Sequence, residues 1–226
     1  MRDIPFELPS IETAQKRRAK RILDALAERY PDATCALTYT APHELLIATI
    51  LSAQCTDVAV NKATPALFKK FPKPADFAKS DPEKIEPFVK SLNFFRNKAR
   101  AVHESMAAIV EEHGGKTPQT MDELLELRGV ARKTANVVLG NAFNINNGVV
   151  VDTHVNRIAK RFALAPEGAN VQVVERYLMA LFPRDQWTKL SHLIIYHGRQ
   201  VCKARHGLCA DDAICKKYCS NAKDSA

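Results

Sequence analysis

Apolar positions recur at helical spacing along most of this chain, and few alternate with the two-residue period of a strand. In the segment 12–29, Ile22, Leu23 and Leu26 share one face of a helix, and a run of basic residues occupies the other faces. The same periodicity predicts further helices over 44–57, 58–71, 81–90, 97–113, 170–182 and 186–201. Only Val149–Val151 carries a strand-like signal. The pattern predicts an all-α fold.

Two apolar helical patterns between residues 124 and 139 are separated by a short hinge at Gly129. Glycine adopts a positive φ without steric cost, so Gly129 can end the first helix and let the chain reverse. Val130 to Lys133 then supply unpaired N–H groups at a new helix N-terminus, and Arg132 adds charge there. Such an end attracts an anion, for example a DNA phosphate. We therefore expect a helix-hairpin-helix.

Lys133 lies in the first turn of the second of these helices. The positive end of the helix dipole disfavours an ammonium, as would partial burial, and an uncharged lysine amine is a nucleophile. The pattern alone fits an ordinary helical hairpin with a solvated lysine equally well.

Three further positions carry polar or aromatic groups that a core does not require. Gln54 closes a strongly apolar helical run and must find hydrogen-bond partners or face a cleft. Phe94 stands in a polar turn beside Arg96, where it can cover the core or wedge into a base stack. Asp152 precedes a helical pattern, so it is predicted to be an N-cap whose backbone hydrogen bonds keep the carboxylate ionised, as suits a group facing positive charge.

Composition narrows the class of protein. The chain has 226 residues, 46% of them hydrophobic and 26% charged, which is typical of a globular protein with one large core or two smaller ones. Its net charge of +8 favours an acidic partner such as nucleic acid. No apolar run is long enough to cross a bilayer and no signal peptide is visible, so we expect a cytoplasmic monomer with no membrane partner, at the nucleoid if the cell is bacterial.

Four of the six cysteines crowd the C-terminal end of the chain, whereas Cys35 and Cys55 are isolated. Inside a cell such a group is expected to bind a metal rather than to form disulfides. Four thiolates suit either a tetrahedral zinc ion or an iron–sulfur cluster, and their spacing does not distinguish the two. Basic neighbours suggest that the metal stiffens a loop presented to phosphates; they are Lys203, Arg205, His206, Lys216 and Lys217.

Three blocks of sequence resemble the endonuclease III family of DNA glycosylases. The block Leu127-Arg-Gly-Val-Ala-Arg-Lys-Thr-Ala-Asn-Val-Val resembles its helix-hairpin-helix, usually Leu-Pro-Gly-Val-Gly-x-Lys-Thr-Ala. The others are Leu51-Ser-Ala-Gln-Cys-Thr-Asp and Val151-Asp-Thr-His-Val. Arg128 replaces the family's proline, which should loosen the turn, and adds a positive charge. Ala131 replaces a glycine and should push a phosphate outward.

The resemblance covers nearly the whole chain and implies a bifunctional DNA glycosylase and AP lyase of base excision repair. Such an enzyme flips an oxidised pyrimidine out of duplex DNA, forms a Schiff base and cleaves the strand by β-elimination. By resemblance Lys133 is the nucleophile, Asp152 is its acidic partner across a cleft, Gln54 fills the gap in the duplex, and Phe94 is the wedge. Ser52 and Asp57 would lie near the pocket. The implied DNA contacts are Gln54, Phe94, Arg128, Gly129, Val130, Ala131, Arg132 and His154, with Arg157 beside His154.

The resemblance also implies two domains and a cofactor. Residues 35–145 would form a six-helix bundle carrying the hairpin, and residues 1–34 with 146–226 a discontinuous domain holding a [4Fe–4S] cluster. Only the first of the family's intervals of six, two and five residues between cysteines is kept here, and Asp212 stands at the third ligand position. The cluster is favoured because four cysteines remain as ligands: Cys202, Cys209, Cys215 and Cys219.

Two other functions stay open. A related adenine-mismatch glycosylase carries a glutamate four residues before its glutamine, where this chain has Ile50, and lacks the hairpin lysine. A DNA-binding damage sensor of the same fold, with little or no activity, is consistent with the altered hairpin at Arg128 and Ala131.

Overall fold

The computed structural model describes residues 4–205 and 207–220, and these are helical with no strand, which confirms the all-α prediction. His206, one of the basic residues noted beside the cysteines, lies outside the described residues. Val149–Val151 is buried but is not a strand. The helices are α1 (Thr13–Arg29), α2 (Pro42–Leu51), α3 (Asp57–Lys70), α4 (Pro74–Ala78), α5 (Pro82–Val89), α6 (Phe95–His113), α7 (Met121–Glu126), α8 (Arg132–Phe143), α9 (Thr153–Arg161), α10 (Val171–Leu181), α11 (Trp187–Gln200) and α12 (Ala213–Tyr218), with a 3-10 turn at Arg184–Gln186.

The chain divides into two compact units. Residues 35–145 form the hairpin unit, which contains α2 to α8. That is seven helices, one more than the six expected, because the five-residue α4 is too short to show a periodic pattern. Residues 1–34 and 146–226 form the terminal unit, named for the two chain ends it joins.

The hairpin unit is built around α2, in which every residue from Leu45 to Leu51 is buried. A helix that is apolar on all sides is stable only inside a core, and α2 packs against α3, α6 and α8. The prediction that this helix continues to residue 57 is wrong. It ends at Leu51, where the backbone N–H of Cys55 bonds to the Ser52 carbonyl in a turn, and Thr56 then caps α3.

The terminal unit has one core made from segments far apart in sequence. Ile22 and Leu26 of α1 share a buried cluster with Ile158 and Phe162, and with Leu190 of α11. Lys189 joins the segments as well, because its ammonium donates to the carbonyl oxygens of Pro31 at 2.8 Å and Ala33 at 3.0 Å. No helix among residues 4–205 and 207–220 is long and apolar enough to span a membrane.

Candidate active site and metal centre

Gly129 lies in the turn between α7 and α8 and has the predicted positive φ, +78°. It does not cap α7, which ends earlier, at Glu126. A Cβ added at Gly129 would come within 3.2 Å of the Ala101 Cβ and 3.6 Å of the Ile50 Cγ2. Glycine is therefore required here both by the backbone conformation and by the close packing of the turn on α6 and α2.

Arg128 ties the hairpin turn to α6. Its backbone carbonyl accepts a hydrogen bond of 2.7 Å from the buried Ser105 hydroxyl. Its guanidinium Nη1 donates to both carboxylate oxygens of Glu104, at 2.6 Å and 2.5 Å. Proline restrains such a turn through its ring, whereas here a hydrogen bond and an ion pair hold it. The positive charge expected to compensate at the DNA is thus paired with a carboxylate.

The N-terminus of α8 is open, because no side chain caps it at Ala131. Not all of the predicted donors are available: the N–H of Val130 bonds to the Leu127 carbonyl at 3.1 Å, and the Val130 side chain is buried. The anion-binding donors are therefore the N–H groups that follow Val130. Arg132 is the first residue of α8 and is half-buried. Lys133 is exposed.

Gln54 and Phe94 both adopt a left-handed backbone, with φ of 53° and 57°. Residues other than glycine rarely hold this conformation, and it concentrates at functional sites. Both side chains are exposed, Phe94 by 61%, so Phe94 does not cover the core. The two turns are joined, since the side-chain amide of Asn93 donates to the Gln54 carbonyl at 2.9 Å. The hairpin unit thus presents a polar and an aromatic side chain on linked turns.

Ser52, Asp57 and Lys98 surround the base of the Gln54 turn. The half-buried Ser52 hydroxyl donates to the Thr49 carbonyl at 2.8 Å and so helps to end α2. Asp57 is the first residue of α3 and is half-buried. The ammonium of the buried Lys98 lies 3.1 Å from the Cys55 sulfur. Sequence patterns did not reveal Asn93, Glu104 or Ser105, because their roles depend on partners distant in the chain.

In the terminal unit, Asp152 is the N-cap of α9, as predicted. Its Oδ1 accepts a hydrogen bond of 2.8 Å from the Val155 N–H, and the residue is half-buried. His154 packs against Gly198, where an added Cβ would come within 3.0 Å of the imidazole Nδ1. The guanidinium of Arg157 donates to the carbonyls of Gly198 at 3.1 Å and Cys202 at 2.9 Å. Arg157 therefore anchors the start of the cysteine segment, in addition to any contact with DNA.

The four C-terminal cysteines meet in the terminal unit. All are buried, and their sulfurs lie within 4.8 Å of one another. Hydrogen bonds from the other thiols lower the pKa of Cys202 and raise that of Cys215, while burial raises the pKa of Cys209 to about 11. Four thiolates so close together need a cation to balance their charge. The four cysteines thus lie close enough together to hold a metal, as the sequence predicts.

Polar side chains beside the cysteines contact two of these sulfurs. The Arg161 Nη1 donates to the Cys202 sulfur at 3.3 Å, and the Nε2 of the buried His197 lies 3.3 Å from the Cys215 sulfur. On its other side His197 Nδ1 is 3.0 Å from the Tyr30 hydroxyl. Burial raises the pKa of Tyr30 and lowers that of His197. The two residues therefore form a buried chain of contacts that ends at the Cys215 sulfur, as expected around a metal ligand.

Comparison with known proteins identifies relatives over most of the chain. Residues 47–184 match the family described as HhH-GPD superfamily base excision DNA repair protein. The chain is 52% identical over 198 residues to Endonuclease III of Synechocystis sp., covering 88% of this chain and 90% of the relative. It is 40% identical over 189 residues to Endonuclease III of Bacillus subtilis, covering 84% and 86%. A solved structure of a trapped Endonuclease III–DNA covalent intermediate is similar with a TM-score of 0.87 at 39% identity, covering 93% of this chain and 98% of the other.

Proposed function

This chain belongs to the HhH-GPD superfamily of base excision DNA repair proteins and is a DNA glycosylase of the endonuclease III family, and we propose that it excises oxidised pyrimidines from duplex DNA and then cleaves the abasic site as a lyase. Acting on chromosomal DNA, it would work in the cytoplasm, at the nucleoid in a bacterium. The observation that carries the lyase activity is an exposed lysine, Lys133, in the first turn of an uncapped helix. The sequence around it matches the hairpin block of a family in which a protein–DNA covalent intermediate has been trapped.

DNA binding would use the hairpin as an anion site. The N–H groups at the start of α8 and the dipole of this 12-residue helix would attract one backbone phosphate. The rigid turn at Gly129 would fix the direction of those groups. Arg132 would supply positive charge, whereas Arg128 would act chiefly by holding the turn through its ion pair with Glu104.

Base excision requires the damaged nucleotide to leave the stack. Gln54 would occupy the gap with its side-chain amide, and Phe94 would wedge between neighbouring bases. Their left-handed backbones direct both side chains outward at the cost of local strain. The Asn93 hydrogen bond to the Gln54 carbonyl would keep the two turns at a fixed spacing, so the insertion is prepared before DNA binds. Ser52 and Asp57, at the base of the Gln54 turn, would lie near the extruded base.

The chemistry would be shared between Lys133 and Asp152. The uncharged Lys133 amine forms a bond to C1′ of the deoxyribose while the C1′–N bond to the base breaks and the base leaves with the electron pair. Asp152, kept in place by its cap on α9, would stabilise the positive charge that develops on the sugar. Loss of the amine proton and opening of the sugar ring give an iminium ion. Removal of a proton from C2′ then expels the 3′ phosphate by β-elimination.

None of these steps uses the metal at the cysteines. The resemblance implies a [4Fe–4S] cluster there, and four buried thiols are the appropriate donors. A single ion of tetrahedral geometry places its thiolate sulfurs about 3.8 Å apart, because each lies about 2.3 Å from the metal. The thiolates of a cubane bind four different iron atoms at its corners and must stand much farther apart. The sulfur separations, all within 4.8 Å, therefore do not fit a cubane.

Borohydride trapping tests the proposed activity. The wild-type protein is incubated with a duplex containing one thymine glycol, and sodium borohydride reduces any Schiff base to a stable protein–DNA adduct. We expect an adduct with wild type and with Lys116→Ala, an exposed lysine outside the site, but none with Lys133→Ala. Equal trapping by Lys133→Ala would show that another amine is the nucleophile.

Two other results would identify one of the alternative functions. If wild type binds the duplex but releases no base and forms no adduct, the chain is a damage sensor. If it releases adenine from a mismatched duplex and leaves thymine glycol intact, it is an adenine-mismatch glycosylase. Both outcomes contradict the proposed substrate class.

A further inference from the structure

The cysteine site differs from the family pattern in sequence as well as in sulfur separation. The intervals between its cysteines are six, five and three residues, so the third and fourth ligands are displaced along the chain. Asp212 stands where the family has its third cysteine, and its carboxylate is already engaged: Oδ1 accepts a 2.9 Å hydrogen bond from the Cys215 N–H. Asp212 is the N-cap of α12 and thereby sets where this short helix begins.

The displaced cysteines are brought together by α12. Cys215 lies in its first turn, and Cys219 follows its last residue, with the Cys219 N–H bonded to the Cys215 carbonyl at 2.8 Å. Residues four apart on a helix lie on the same face, so these two sulfurs approach the same point. On the opposite side Cys202 follows α11, and its sulfur is 3.9 Å from that of Cys219. This is close to the separation of about 3.8 Å around one tetrahedral ion.

Polar side chains of the terminal unit contact two of the four sulfurs. The Arg161 guanidinium donates to Cys202, and the His197 Nε2 lies 3.3 Å from the Cys215 sulfur. Donors of this kind stabilise metal-bound thiolates and orient them. Cys215 has no counterpart in the family pattern, yet it receives the His197–Tyr30 hydrogen-bond chain. Because all four sulfurs are buried and converge, Cys202, Cys209, Cys215 and Cys219 offer the four ligands of a closed structural metal site.

We propose that these four cysteines bind a single tetrahedral zinc ion in place of a four-iron cluster. Among divalent ions that accept thiolates, zinc binds more tightly than ferrous iron at the same ligands. One divalent ion would bind all four buried thiolates at the separations observed and would offset two of their four negative charges. The ion would stabilise the terminal unit by joining α11 to α12.

Metal analysis of the full-length protein tests this. The protein is produced in medium supplied with both iron and zinc, and its metal content and absorption are measured. We expect one zinc per chain, no iron, and no absorption near 400 nm. X-ray absorption at the zinc edge should give one shell of four sulfurs at about 2.3 Å. Metal-free protein treated anaerobically with ferrous ion and sulfide should not take up four irons.

The ligand set is tested with two matched variants. Cys215→Ser should lower the zinc content to well below one per chain, whereas Cys35→Ser, which removes a thiol of the hairpin unit, should keep one zinc. Four irons per chain, a single iron, or no metal after exposure to both ions would each overturn the proposal. Borohydride trapping by Lys133 on the same preparations is a separate readout, so failure of the metal proposal is distinguishable from failure of the proposed activity.

Discussion

Replacing Gly129 by alanine separates two reasons for a glycine in the hairpin. One is the backbone, because φ is +78°, a conformation that costs a residue with a Cβ roughly 1–2 kcal/mol. The other is space, because the new Cβ would lie 3.2 Å from the buried Ala101 Cβ. Gly115 is a matched control: its φ is +79°, and nothing lies within 4 Å of an added Cβ.

The two variants should therefore lose different amounts of stability. Gly115→Ala incurs the backbone cost alone, about 1 kcal/mol after the gain from a less flexible unfolded chain. Gly129→Ala incurs the same cost and must also displace α6 or α2, which adds about 1–3 kcal/mol as in other overpacked cores. We expect a total of about 2–4 kcal/mol.

Urea unfolding followed by circular dichroism measures the difference. Affinity for a duplex with an abasic-site analogue, measured by fluorescence anisotropy, shows whether the hairpin still presents its N–H groups. Gly129→Ala should bind more weakly than wild type, and Gly115→Ala should bind equally well. If both variants lose the same stability and keep full affinity, the close packing of the turn is not what requires glycine.

Three other predictions concern single groups. Burial and the positive charge of nearby Lys189 lower the pKa of His192 to about 4. As pH falls from 6.5 to 4, the unfolded state takes up the proton first, so the free energy of unfolding decreases by up to about 1.4 kcal/mol per pH unit. His192→Gln should flatten this pH profile in urea titrations, and an unchanged slope would contradict the assignment. A double-mutant cycle of Arg128→Ala and Glu104→Ala should give a coupling energy of about 0.5–1 kcal/mol. The coupling should decrease in 1 M salt, because both side chains are about half exposed. A coupling of zero would mean that the ion pair does not hold the turn. Asn93→Ala should weaken binding of the abasic-site duplex about fivefold, since the lost hydrogen bond to the Gln54 carbonyl is worth about 1 kcal/mol. Unaltered affinity would show that DNA binding does not depend on the link between the two turns.

Local sequence signals identified the features that depend on neighbours in the chain. The cap at Asp152, the positive φ at Gly129 and the cysteine group follow from residue type and spacing alone, and all three are present. A short apolar run also predicted α2, although its C-terminal end was placed too late, because hydrophobic periodicity cannot show where Ser52 turns the chain.

Features that depend on tertiary partners were not predictable in this way. The ion pair of Arg128 with Glu104 joins positions 24 residues apart, and the Asn93 hydrogen bond joins positions 39 residues apart. The exposure of Lys133 follows from how α8 packs, since Ala135, Val138 and Leu139 are buried in the core and Lys133 is not. The helix α12 is only six residues long and is defined by its Asp212 cap rather than by an apolar face.

The position of the covalent bond in the trapped adduct tests the proposed nucleophile most directly. Trypsin cuts after Arg132 and normally after Lys133, so an unmodified chain gives a peptide of residues 134–157. A sugar-derived group on Lys133 blocks the second cut, and mass spectrometry should then find peptide 133–157 carrying the reduced deoxyribose fragment. An adduct on any other amine, with peptide 134–157 intact in the trapped protein, would contradict the assignment of Lys133.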